Sequence, residues 1–152
     1  MTDKLDLIYL PKQTFSPRYG DNYFSFDICN HTIATEDRGC LCPHEKVIYY
    51  TITIMKGKNT WQISKRYSEI LKLYEKLRLS NEFRSKLRFP KETWFNIIND
   101  QKFLFERQQG LSIVLDLILI ELQNKKHLCH SDIISFLQLQ SYFQQQPVAL
   151  IA

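Results

Sequence analysis

Apolar and polar residues alternate in three separate runs in the first half of the chain, and a period of two is the mark of a half-buried strand. In Tyr23-Phe24-Ser25-Phe26-Asp27-Ile28, the side chains of Phe24, Phe26 and Ile28 share one face. Between Val47 and Met55, Ile48, Tyr50, Ile52 and Ile54 do the same. From Thr60 to about Ser64, Trp61 and Ile63 complete the pattern. Lys56-Gly57-Lys58-Asn59 is turn chemistry, so the second and third runs form a tight hairpin. Residues 30–45 separate the first two runs. They hold Gly39, Pro43 and little apolar periodicity, and read as a long loop.

After Ser64 the period changes to that of a helix. Tyr67, Ile70, Leu71, Tyr74 and Leu77 fall on one stripe, with Ser68 as the expected cap and Glu69 in the first turn. Residues 80–100 are irregular and contain Pro90. A second helix begins near Gln101, with Leu111, Val114, Leu115, Ile118 and Leu122 as its stripe. A short last helix starts at about Ser131, its expected cap, and carries Ile133, Ile134, Phe136, Leu137 and Leu139. Strands followed by helices predict an α+β fold, a three-stranded antiparallel sheet with a helical subdomain packed on one side. The expected organisation is a polar lead-in over 1–20, one domain over 21–140, and a Gln-rich tail or linker start over 141–152.

Composition narrows the function without naming it. The chain is 44% hydrophobic and 24% charged, and its ten Phe, eight Tyr and two Trp belong to a packed core rather than to disorder. The net charge of +4 permits an anionic surface as partner but lacks the dense basic stripe of a nucleic-acid binder, so no nucleic-acid partner is expected. No segment reaches the roughly 18 apolar residues that cross a bilayer. With no secretory leader evident, a cytoplasmic protein with free thiols is expected. Cys40, Cys42 and His44 are too tightly spaced for a zinc site, and no metal or other cofactor is expected. No glycine-rich phosphate loop, nucleophile elbow or base–nucleophile spacing is present, so no catalytic residues are assigned and the chain is expected not to be an enzyme.

Three short pieces remain, each pairing a cation with a change in chain direction. They are Lys65-Arg66-Tyr67 at a strand-to-helix junction, Phe89-Pro90-Lys91 in the irregular segment, and Glu106-Arg107-Gln108-Gln109-Gly110-Leu111 near the start of the long helix. Taken singly, Arg66 reads as an ordinary arginine at a strand end, and Arg107 as a partner for Glu106 or Asp100. Together, in this order, "KRYSEILKLYEKL", "FPK" and "FERQQGL" resemble the signature of the PX (phox-homology) domain, over roughly residues 5–140.

The resemblance implies a phosphoinositide-binding module that is peripheral on endosomal membranes, as in sorting-nexin-like trafficking proteins. It implies that Arg66 binds the 3-phosphate, Tyr67 floors the inositol ring, Lys91 meets the 1-phosphate, and Arg107 hydrogen-bonds the 4- and 5-hydroxyls. The expected ligand is then phosphatidylinositol 3-phosphate. Ile97 and Ile98 become candidates for membrane insertion, and Trp94 and Phe95 are expected in the core. The family usually has a longer Pro-x-x-Pro loop. Here only Pro90 stands, which leaves Lys86 and Arg88 as alternatives to Lys91. The long 30–45 segment keeps a second reading open, a protein-interaction module on the same fold with a partner bound through that loop.

Overall fold

The structure, a computed structural model, describes residues 6–36, 45–91 and 100–140. The sheet has four strands in the order β1-β2-β3-β4: β1 (Ile8–Tyr9), β2 (Tyr23–Glu36), β3 (Glu45–Lys56) and β4 (Asn59–Arg66). The α+β class and the antiparallel β2-β3-β4 meander are as expected. The sheet differs by one strand. β1 lies within the lead-in and pairs parallel with β2 at Tyr23 and Phe24. Two residues are too few to show a period. What holds β1 is long-range: Gln123 accepts from the Tyr9 N–H at 2.6 Å and donates to the Tyr9 carbonyl at 3.0 Å.

The expected loop over 30–45 is a correction. β2 continues to Glu36 and β3 begins at Glu45, with Asn30 through Glu36 paired residue by residue against Thr51 back to Glu45. Ladder hydrogen bonds do not require apolar side chains, so a polar arm beyond the core carries no alternation. The register slips between Ile28 and Asn30, a bulge at Cys29. One extra residue turns the following side chains over. His31, set opposite Tyr50, thereby joins the face that carries Ile52 and Ile54.

The helices are α1 (Tyr67–Lys76), α2 (Asn81–Lys86), α3 (Gln101–Asn124) and α4 (Ser131–Leu137). They cover one face of the sheet. Phe24, Phe26, Ile52, Ile54 and Ile63 meet Ile70, Leu111, Leu115, Ile118 and Ile133 in a single core. α1 starts two residues earlier than a Ser68 cap would allow. Its N-cap is Arg66, whose N–H donates to Glu69 at 3.0 Å. The Asp100 carboxylate caps α3 through the Phe103 N–H, and His130 rather than Ser131 caps α4 through the Asp132 N–H. α2, capped by Ser80, interrupts the stretch read as irregular. α4 is pinned to the sheet by Trp61, whose indole N–H donates to the Leu137 carbonyl at 3.0 Å. Among the described residues, no helix is long and apolar enough to cross a membrane.

Candidate functional site

The chain leaves the sheet at Arg66 and turns into α1 at once, so Tyr67 is the first helical residue. The two members of the basic pair then part. Lys65, opposite Tyr50 in the sheet register, turns to the helical layer, where its Nζ lies 4.8 Å from the Phe136 ring centroid and 3.9 Å from Glu69. Arg66 sits half-buried at the helix N-terminus, opposite Tyr49 in the register.

Tyr67 is the hub. Its hydroxyl donates to the Pro90 carbonyl, and its ring meets Phe89 edge-on with centroids 5.5 Å apart. Phe89 also lies 5.4 Å from Tyr74, two turns further along the same face of α1. These contacts fold the Phe89-Pro90-Lys91 piece back onto α1. On the other side, the Arg107 guanidinium carbon stands 3.8 Å from the Tyr67 ring centroid, a close cation–π stack. α3 admits the loop because of Gly110. A Cβ there would lie 2.9 Å from the Pro90 Cγ, closer than side-chain carbons pack.

The result is an open cleft of about 340 Å³ lined by Pro90, Lys91, Phe103, Glu106 and Arg107. Tyr67, Lys91 and Arg107 are thus drawn together from three separate parts of the sequence. Neither Tyr67 nor Arg66 lines this cleft: Tyr67 borders it through its contacts with Pro90 and Arg107, and Arg66 adjoins it through the chain as the residue before Tyr67. Of the alternative cations, Lys86 faces Glu82 at 3.5 Å on the exposed side of α2, and Arg88 is exposed. Lys91 is the one beside Arg107.

Behind the stack lies a polar layer that sequence reasoning missed. Gln108 is buried, shares a 2.8 Å hydrogen bond with Nδ1 of His31, and donates to the Ile28 carbonyl at 3.3 Å, which ties the first turns of α3 to the β2 bulge. Tyr50 lies beside it, its ring 6.4 Å from that of His31. Burial raises the Tyr50 phenol above its ordinary range; the positive charge of Arg107 opposes that rise and the Tyr67 phenol adds to it. In sequence Tyr50 is one more inward residue of a strand, and only the bulge, which the alternation hides, brings His31 to it.

Ile97, Ile98, Trp94 and Phe95 lie outside the described residues, as do Cys40, Cys42 and His44. Among the described residues no group of acidic, histidine or cysteine side chains is arranged to hold a metal ion.

A PX domain family model matches residues 53–145, more than half of the chain. The chain belongs to the PX domain family. Solved PX domains share its fold. A designed CISK-PX domain is 23% identical, with a TM-score of 0.54 over 73% of this chain and 95% of that one. The mouse SNX19 PX domain, solved with a bound sulphate ion, is 19% identical, with a TM-score of 0.55 over 76% of this chain and 95% of that one. No curated protein matches the sequence. PX domains are phosphoinositide-binding, membrane-targeting modules and are generally non-catalytic, which sets the class of chemistry to be sought in the cleft.

Proposed function

We propose that this PX domain binds phosphatidylinositol 3-phosphate and thereby holds its protein at endosomal-type membranes, in trafficking or sorting, as a binding module and not as an enzyme. The observation that carries the reading is the Arg107–Tyr67 stack beside Lys91. A phosphorylated inositol is a ring of hydroxyls with a strongly anionic edge. It needs a flat surface, a planar fork of donors and a point charge, and a Tyr face, an Arg and a Lys supply those three.

In this reading Arg66, at the α1 N-terminus, takes the 3-phosphate with help from the first backbone N–H groups of the helix. Tyr67 floors the sugar ring. Lys91 meets the 1-phosphate. Arg107, held flat over Tyr67, donates to the 4- and 5-hydroxyls and so selects a head group phosphorylated at position 3 alone. Anion capture by a PX domain of this fold has a parallel in the sulphate bound to the mouse SNX19 domain. Charge-assisted hydrogen bonds of about 1.5–3 kcal/mol each, less the cost of association, support an affinity on the micromolar scale, about −8 kcal/mol. Residence on a membrane is then reinforced by roughly 1 kcal/mol for each cation near the anionic leaflet.

Co-sedimentation with vesicles carrying phosphatidylinositol 3-phosphate, 4-phosphate or 4,5-bisphosphate tests this. The expected result is pelleting with the 3-phosphate alone, lost in a folded Arg66→Ala variant. Equal pelleting with all three lipids, or by wild type and variant alike, contradicts it.

A further inference from the structure

Tyr50 is 1% exposed, and its hydroxyl has no hydrogen-bond partner among the described residues. The same holds for Nε of Arg107. Buried polar groups are almost always paired, because an unpaired one has given up its water for nothing. The two are electrostatic neighbours, since the Arg107 charge acts directly on the Tyr50 phenol. They are also joined through the layer behind the cleft: the Tyr50 ring adjoins His31, and His31 is bonded to Gln108, the residue after Arg107.

One orphan is an N–H donor and the other a hydroxyl with acceptor lone pairs, so they are complementary. The core does not require the hydroxyl. Tyr50 alternates with Ile52 and Ile54 in a buried run, and a phenyl ring would fill the same place. A polar atom kept at a cost to the fold, within reach of the charge of a cleft-lining arginine, marks a site where packing rules yield to function.

We propose that Tyr50 is a positioning residue for Arg107. When a phosphorylated inositol head group enters the cleft, Nε of Arg107 donates to the Tyr50 hydroxyl, and the guanidinium is fixed over Tyr67 with its terminal N–H groups turned to the sugar hydroxyls. This rests on the lipid-site reading above and adds to it a residue that touches no lipid. Tyr50 then contributes to selectivity as well as to affinity, since it holds the donor that inspects the 4- and 5-positions.

The test uses wild type, Arg66→Ala, Tyr50→Phe, Arg107→Lys and the Tyr50→Phe/Arg107→Lys double variant. Thermal unfolding is measured for each, with vesicle affinity for phosphatidylinositol 3-phosphate and 3,5-bisphosphate. Tyr50→Phe is expected to unfold at or above the wild-type midpoint, because it deletes a buried unpaired hydroxyl. It is also expected to bind the 3-phosphate about tenfold more weakly, the worth of one hydrogen bond to a charged group, with a smaller preference over the bisphosphate. In the Arg107→Lys background, which has no Nε–H to place, the hydroxyl deletion is expected to change nothing more. Wild-type affinity in Tyr50→Phe, a loss that persists on the lysine background, or a loss matched by a lower unfolding midpoint would overturn the proposal while Arg66→Ala still reports the lipid site. Failure of wild type to bind, or full binding by Arg66→Ala, would instead remove the lipid-site reading and the proposal with it.

Discussion

Gly110 on α3 and Pro90 on the facing loop touch so closely that a single added carbon would collide: a Cβ at position 110 lies 2.9 Å from the proline Cγ. The contact is what lets the loop bring Lys91 to Arg107. Gly110 is otherwise a cost, since glycine inside a helix is about 0.5–1 kcal/mol worse than alanine. Gly110→Ala therefore sets two effects against each other. The helix gains, but the rigid proline ring must retreat and take Lys91 with it. The expected outcome is a protein unfolding within a few degrees of wild type and binding head group at least fivefold more weakly. Calorimetry beside vesicle titration checks both halves.

Lys91 and Lys86 differ in surroundings although both follow α1. Lys91 lines the cleft, whereas Lys86 faces Glu82 on α2. Lys91→Ala is expected to weaken binding to anionic vesicles about fivefold, in line with roughly 1 kcal/mol per cation at the leaflet. Lys86→Ala is expected to change it less than twofold. Vesicle titrations of the two variants at one salt concentration make the comparison.

Lys56, at the end of β3, is 1% exposed, and its ammonium donates to the Asp21 carbonyl. Burial lowers it from 10.5 to about 8, with the Asp21 carboxylate opposing the shift. The folded protein thus holds this proton less tightly than the unfolded chain. Stability rises with pH wherever the unfolded state binds more protons, so this group's penalty is full below about pH 8 and fades as pH climbs toward 10.5. Between pH 7 and 9.5, wild type is expected to gain about 2 kcal/mol relative to Lys56→Met, which has no proton to lose. Urea unfolding of the pair across that range gives the difference directly. A constant difference would show that Lys56 titrates normally.

The residues that declare themselves in the sequence are those whose neighbours lie close along the chain. Phe24, Phe26 and Ile28, or Leu111, Val114 and Leu115, carry a period because one face of their element meets the core. The hairpin beyond Asn30 passes unseen, since Thr32 and Thr35 are exposed and the ladder that holds them is backbone. β1 is invisible for a similar reason: its anchor, Gln123, lies more than a hundred residues away. α2 has six residues, too few for a stripe.

The site divides in the same way. Arg66, Tyr67, Lys91 and Arg107 could be singled out because each sits in a piece pairing charge with a turn of the chain. That Lys65 belongs to α4 rather than to the cleft follows from which side of the sheet it occupies, and a basic pair read as text does not tell its two members apart. Tyr50 and Gln108 were hidden for a different reason. A buried tyrosine in an apolar run reads as filler until its hydroxyl is found without a partner.

The account stands on where the head group sits, and the most direct test is a heteronuclear NMR titration of the folded domain with soluble inositol 1,3-bisphosphate, the phosphatidylinositol 3-phosphate head group without its lipid. The account predicts saturable shifts in the amides of Arg66, Tyr67, Lys91 and Arg107, the last close to Tyr67 through its stacked guanidinium, with little change along the β2–β3 arm. Shifts centred on residues 30–36 with the cleft silent would contradict it and make the hairpin, not the Arg107–Tyr67 stack, the working surface.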